Sequence, residues 1–74
     1  MREDGGMREV AITTDAIRLG QFLKLADLVD VGSDAKLLLE DGVVHVNGVP
    51  EDRRGRHLIR GDVVTVDGID VRVA

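Results

Sequence analysis

The sequence predicts an α+β domain in which a pair of helices packs on a small, mostly antiparallel β-sheet. Three observations support this prediction: two apolar stripes with helical spacing, two later stretches of alternating residues joined by tight-turn dipeptides, and short segments between them. With 74 residues the chain has room for one domain, and its single aromatic residue leaves aliphatic side chains to form the core.

The N-terminal residues show no regular pattern. Residues 1–9 are polar, contain a Gly-Gly pair and lack helical or strand spacing, so we expect a flexible tail there and a single domain over residues 10–74. Val10 and Ile12 then alternate with their neighbours, which predicts a short edge strand.

Two apolar stripes predict the two helices. The first repeats at i, i+3, i+4 and i+7 and consists of Leu19, Phe22, Leu23 and Ala26. The second consists of Ala35, Leu38 and Leu39. This second helix should end before Gly42, since glycine readily adopts the left-handed backbone that often follows a helix. Ser33 or Asp34 is expected to cap its N-terminus.

The first of two predicted hairpins follows Gly42. Val44 and Val46 lead into Asn47-Gly48, a dipeptide that tolerates the positive φ angles of a two-residue turn. Pro50 would lie opposite His45 and has no N–H to donate, so this hairpin should be short. We therefore expect the chain to leave the sheet near Glu51.

The second hairpin is predicted at the C-terminus. A turn at Gly61-Asp62 precedes two alternating stretches, residues 63–66 and 69–73, which Asp67-Gly68 separates. A two-residue turn fixes the register of such a hairpin. The register pairs Val66 with Ile69 and Val64 with Val71, and we expect all four side chains on one core face.

The basic residues are concentrated in one segment of an otherwise acidic chain. The net charge is −4, which argues against a protein that coats nucleic acid through its overall charge, yet residues 53–60 contain four arginines and no acid. One interpretation is a solvated loop whose charge is balanced by Glu51, Asp52 and Asp62. The other is a phosphate-binding patch, because the planar guanidinium donates two parallel hydrogen bonds to a phosphate.

Several kinds of chemistry lack the residues that they need. The chain has no cysteine, one serine and two histidines, and no apolar run of membrane-spanning length. It also contains no glycine-rich nucleotide-binding motif. We therefore expect a cytoplasmic protein that is not an enzyme and has no cofactor, no metal, no small-molecule substrate and no membrane segment.

Three segments together resemble the S4 RNA-binding domain. They are residues 18–23 (RLGQFL), 35–48 (AKLLLEDGVVHVNG) and 61–64 (GDVV). The most specific marks are the seven-residue step from Ala35 to Gly42 and the Val-x-Val-Asn-Gly hairpin. The resemblance covers about residues 10–73, and the chain looks like a small, free-standing bacterial member of that family. It implies an αL-type helix pair and non-catalytic binding of structured RNA, either ribosomal or tRNA-like.

The resemblance also implies where the RNA would bind. It indicates Lys24 and Lys36 on the exposed sides of the two helices, and the basic segment that follows the first hairpin. The candidates in that segment are Arg53, Arg54, Arg56, His57 and Arg60. Because the only aromatic side chain falls in the first helical stripe, we expect recognition of RNA backbone and shape rather than stacking on unpaired bases.

Two functions remain open at this point. An RNA-binding module should bind less tightly as salt increases, because its arginines and lysines neutralise phosphates. A protein-interaction or ribosome-assembly adaptor without direct RNA contact would bury apolar surface and respond little to salt. The expected partners are structured RNA, and the ribosomal subunit or assembly proteins.

Overall fold

The computed structural model describes residues 7–29 and 32–74. Within these ranges the elements in chain order are β1 (Met7–Val10), β2 (Ala16–Arg18), α1 (Leu19–Leu25), α2 (Gly32–Glu40), β3 (Val44–Val46), β4 (Val49–Pro50), β5 (His57–Ile59), β6 (Val63–Val66) and β7 (Ile69–Val73). The predicted α+β class and the order of helix pair and hairpins are confirmed.

The strands form two sheets. The larger has the order β1-β7-β6-β3-β4, with β1 parallel to β7 and every other pair antiparallel. The smaller is an antiparallel pair of β2 with β5, which joins the start of α1 to the end of the basic segment. The larger sheet agrees with the prediction of a mostly antiparallel sheet, whereas the second sheet was not expected.

The N-terminal strand both begins and ends earlier than we predicted, and Ile12 lies outside it. Residues 7–9, which we assigned to a flexible tail, form β1 together with Val10, and residues 1–6 lie outside the described part of the chain. The polar side chains of β1 have partners: Glu9 pairs with Arg72, and Arg8 Nη2 donates to the carbonyl of Ala26 at 2.7 Å. Polarity was therefore a poor indicator of disorder at this edge of the sheet.

Both hairpins have the predicted register. In the first, Val46 pairs with Val49 and His45 with Pro50, and the chain leaves the sheet at Glu51. In the second, Val66 pairs with Ile69 and Val64 with Val71. The first residues of the two turns, Asn47 and Asp67, both have φ of 54°, as these turns require.

The core lies between the helix pair and one face of the larger sheet. Helix α1 contributes Leu19, Phe22 and Leu23, which are fully buried, and α2 contributes Ala35 and Leu39. The sheet contributes Val44, Val46, Val64, Val66, Val71 and Val73. Ile69 was expected on this face, but it directly follows the turn at the end of the hairpin and is exposed.

Helix α2 starts and ends close to the predicted positions. It begins at Gly32, so Ser33 and Asp34 lie within its first turn and do not precede it as caps. A carboxylate in the first turn still interacts favourably with the helix dipole. After the helix Gly42 has φ of 76° and donates to the carbonyl of Leu39 at 3.2 Å, as expected for the glycine that follows a helix.

Helix α1 ends in a Schellman motif that has an aspartate at its left-handed position. The N–H of Leu28 donates to the carbonyl of Leu23 at 2.9 Å, and the N–H of Asp27 donates to that of Lys24 at 3.0 Å. Asp27 has φ of 62°, a region that disfavours residues with a Cβ atom. Its carboxylate also lies at the negative end of the helix dipole.

We expect Asp27→Gly to raise the free energy of unfolding by about 0.5–1 kcal/mol, because it relieves the left-handed backbone and removes the unfavourable charge. The greater flexibility of glycine in the unfolded chain limits the gain. Urea unfolding would measure it. Asp27→Ala is the matched control, since it removes the charge and keeps Cβ. Equal stability of the two variants would show that backbone strain is not the cause.

Candidate nucleic-acid interface

The arginine loop, residues 51–56, connects β4 to β5 and is built on a buried acid. Glu51 follows Pro50 directly, and its N–H donates to the carbonyl of Val44 at 3.0 Å. The residue is therefore still bonded to the sheet, and it is only 7% exposed. A carboxylate buried to this extent is expected to have charged or hydrogen-bonding partners.

Five donors from the arginine loop surround that carboxylate. Arg53 donates from Nε to Oε2 at 3.1 Å and from Nη2 to Oε1 at 3.2 Å, and Arg56 Nη1 donates to Oε1 at 3.0 Å. The backbone N–H groups of Asp52 and Arg53 also donate to Oε2. These hydrogen bonds, chiefly those from Arg53, lower the pKa of Glu51 to about 2.

The loop is also joined to the start of α1. The N–H of Leu19 donates to the carbonyl of Arg56 at 2.8 Å, and the N–H of Gly20 donates to that of Arg54 at 2.9 Å. Loop carbonyls thus take the place of a capping side chain, which α1 lacks. A Cβ atom on Gly20 would lie 3.3 Å from Cβ of Arg54, so glycine permits this close approach.

A groove of about 410 Å³ lies between α1 and the arginine loop. Three cationic side chains line it, Arg18, Lys24 and Arg54. The rest of the lining consists of Gly20, Gln21, Ala35 and Gly55. An adjacent groove of about 230 Å³ shares Arg54 and adds Lys36, together with Leu39, Glu40 and Asp52. We call Arg18, Lys24, Lys36 and Arg54 the basic surface.

The structure places the predicted site residues in two groups. Lys24, Lys36 and Arg54 belong to the basic surface, and no ion pair among the described residues joins them to a carboxylate. The other four candidates are Arg53, Arg56, His57 and Arg60. RNA contact by any of the seven stays a prediction.

Three of the four candidates outside the basic surface have internal partners. Arg53 and Arg56 bind Glu51, and Arg60 Nη2 donates to the carbonyl of Ile12 at 2.9 Å, which holds the segment before β2. His57 is exposed and lies opposite Arg18 in the β2–β5 pair. Glu51 therefore balances part of the positive charge of the loop, as one of the two interpretations expected. It pairs with Arg53 and Arg56 but not with Arg54.

Sequence reasoning missed Arg18 as a candidate. This residue ends β2, immediately before α1, and its exposed side chain shares a face of the small sheet with His57. The β2–β5 pair contains three residues in each strand, which is too short to show a reliable alternating pattern. The one available signal was the Arg-Leu dipeptide that opens the motif of residues 18–23.

The basic surface can bind phosphate groups. Two of its four members are arginines, whose guanidinium groups match two phosphate oxygens, and two are lysines, which act as point charges. Glu40 and Asp52 line the smaller groove, so the attraction for an anion should be greatest in the larger one. The aromatic ring of Phe22 is fully buried, so it cannot stack on a base at this surface.

Two other features are absent from the part of the chain that the structure describes. Neither of its helices is long and apolar enough to cross a membrane. Residues 7–29 and 32–74 also contain no group of three histidine, aspartate or glutamate side chains arranged to hold a metal ion.

The fold is similar to that of a solved ribosomal protein. The match is to the crystal structure of the 30S ribosomal protein S4e from Thermoplasma acidophilum, with a TM-score of 0.62 and 22% sequence identity. The match covers 81% of this chain and 32% of that protein. Identity this low supports a common fold alone.

Sequence comparisons identify nearer relatives. The chain is 51% identical over 59 residues to the probable ribosome maturation protein RlbA of Bacillus subtilis, covering 80% of this chain and 83% of that protein. It is 44% identical over 50 residues to the small ribosomal subunit protein uS4m of Schizosaccharomyces pombe, covering 68% of this chain but 15% of that protein. A family model of the S4 domain matches residues 10–74. The resemblance seen in the sequence is confirmed, and the chain belongs to the S4 domain family.

Proposed function

We propose that this protein is a non-catalytic RNA-binding protein of the cytoplasm that recognises structured RNA through its basic surface. The observation that carries the proposal is the convergence of Arg18, Lys24 and Arg54 on one groove between α1 and the arginine loop. The relatives named as a ribosome maturation protein and a small ribosomal subunit protein favour ribosomal RNA as the ligand, and an RNA with a tRNA-like fold is the alternative. Ribosomal subunits and their assembly proteins are then the expected partners.

The geometry favours folded RNA over single strands. The cations come from the end of β2, from the two helices and from the arginine loop, whose backbone is fixed by its bonds to Leu19 and Gly20. Such a surface carries its cationic side chains on a well-anchored backbone, which suits a ligand whose phosphates have a defined arrangement. Binding unpaired bases commonly depends on exposed aromatic rings, and the single aromatic residue of this chain is in the core.

We expect binding to weaken steeply with salt. If the four cations each neutralise one phosphate, log K should fall against log salt with a slope of roughly −3. Affinity would then drop roughly 60-fold between about 50 and about 200 mM salt. Fluorescence anisotropy with labelled transcripts of small-subunit ribosomal RNA would measure this slope, with labelled poly(U) as the unstructured control. Absence of binding at low salt, or a slope near zero, would contradict the proposal.

A second candidate function is contact with a protein, as an adaptor. Its support is a groove of about 340 Å³ at the end of α1 and along α2. Leu37 lies in this groove and is 59% exposed, and Asp27, Asp34 and Asp41 are acidic members of the lining. Apolar contact with a partner would respond little to salt, so the same titration, repeated with a ribosomal protein fraction, separates the two functions.

A further inference from the structure

We infer that Glu51 is a positioning residue that limits the number of phosphates the arginine loop can bind. Its carboxylate accepts hydrogen bonds from Arg53 and Arg56, so that Arg54 is the one arginine of residues 51–56 that lines the larger groove. This inference rests on the proposed function, since it concerns the ligands of the same surface.

Glu51 occupies the part of Arg53 that would bind a phosphate. The Nε and Nη2 edge of a guanidinium donates two parallel hydrogen bonds to two oxygens of a single acid, either a phosphate or a carboxylate. In Arg53 both atoms of that edge donate to the Glu51 carboxylate. The side chain of Arg53 is 75% exposed, so its orientation comes from this acid and not from burial.

Arg56 is held more firmly than Arg53. Its side chain is 31% exposed, its Nη1 atom donates to Glu51, and its carbonyl accepts the N–H of Leu19. Together, the side chains of Glu51, Arg53 and Arg56 carry a net charge of +1. Two arginines without the acid would carry +2. The loop presents less positive charge than its sequence indicates.

The consequence is selectivity for the arrangement of phosphates. A flexible tract of arginines would bind most polyanions through charge, with little dependence on their shape. A loop in which Glu51 fixes two arginines and orients the backbone around Arg54 offers one phosphate ligand at a defined place. Unstructured RNA then has fewer cations available to it.

The test is Glu51→Gln, which removes the charge but keeps an oxygen that can accept hydrogen bonds. We expect the salt slope for labelled poly(U) to become more negative by about 1, because Arg53 becomes available for phosphate. Affinity for poly(U) at about 50 mM salt should rise several-fold relative to affinity for the structured ribosomal transcript. Urea unfolding would first establish that the variant is folded.

Arg53→Gln and the double variant identify the arginine that is responsible. In the Glu51→Gln, Arg53→Gln protein the salt slope for poly(U) should return to the native value. Arg53→Gln alone should have the same slope as the native protein. Arg54→Gln alone should make the slope less negative by about 1. If Glu51→Gln fails to fold, the two single arginine variants still decide: equal effects of Arg53→Gln and Arg54→Gln would overturn the inference.

The native protein separates this inference from the proposed function. Native binding to the ribosomal transcript that lacks salt dependence would reject the proposed function itself. If native binding depends on salt but folded Glu51→Gln has the same poly(U) slope as the native protein, the proposed function stands. Only the inference that Glu51 restrains the arginines is then rejected. A steeper slope that persists after Arg53 is replaced would also reject it.

Discussion

Replacing Glu51 with alanine is expected to lower the free energy of unfolding by about 3 kcal/mol near neutral pH. The carboxylate accepts hydrogen bonds from two guanidinium groups and two backbone N–H groups, and all of them are lost together. The loop carbonyls that cap α1 also lose their support, because they lie in the segment that Glu51 organises. For a chain of 74 residues, with a total stability of roughly 4–11 kcal/mol, this is a large fraction.

The same carboxylate should make stability depend on pH in the acid range. Its pKa is lowered from 4.5 to about 2 in the folded protein, and the unfolded chain has the ordinary value. The folded state therefore binds this proton less readily, and the stabilisation is complete above about pH 4.5. It is lost as pH falls towards about 2, and a shift of this size corresponds to about 3 kcal/mol.

Urea unfolding at about pH 7 and about pH 3 would test both expectations. The native protein should lose stability between the two values, and Glu51→Ala should lose about 2 kcal/mol less. Asp52→Ala is the matched control, because its exposed side chain is the neighbouring acid and its loss should cost less than about 0.5 kcal/mol. A parallel decline of native protein and Glu51→Ala would contradict the role given to this carboxylate.

The elements that were predicted correctly have strong local signals. The stripe at Leu19, Phe22 and Leu23 lies on the buried side of α1, and the Asn-Gly and Asp-Gly turns fixed both hairpin registers. Strands β1, β2 and β5 gave weaker signals. They are at most four residues long, and β1 is polar, so their pairing depends on distant partners that a local pattern does not reveal.

The candidate site was predicted in composition but not in geometry. The sequence indicated that residues 53–60 concentrate positive charge, and the resemblance added Lys24 and Lys36. Neither the sequence pattern nor the resemblance distinguishes Arg54 from Arg53. Arg53 binds the Glu51 carboxylate and Arg54 lines the larger groove, and this difference depends on where the Glu51 side chain lies after β4. Arg18 was missed for a related reason, since the β2–β5 pair brings it close to the loop.

The double replacement Arg18→Ala, Arg54→Ala is expected to weaken binding of structured RNA roughly 100-fold at low salt, because each guanidinium contributes about 1.5 kcal/mol through charged hydrogen bonds to phosphate. Both side chains line the larger groove, and neither forms an ion pair with a carboxylate among the described residues. The fold should be retained, because Arg54 holds Gly20 through its backbone carbonyl, which alanine preserves. Anisotropy with the ribosomal transcript would measure the loss.

A control of equal charge separates local contact from overall attraction. Arg8→Ala, Arg72→Ala removes two arginines from β1 and β7, so its net charge matches that of the groove variant. If the arrangement of cations around the groove determines binding, the control should bind within about 3-fold of the native protein, since its lost charges are outside the interface. Equal weakening by both variants would instead mean that the acidic chain binds RNA through net charge, and the groove would lose its role.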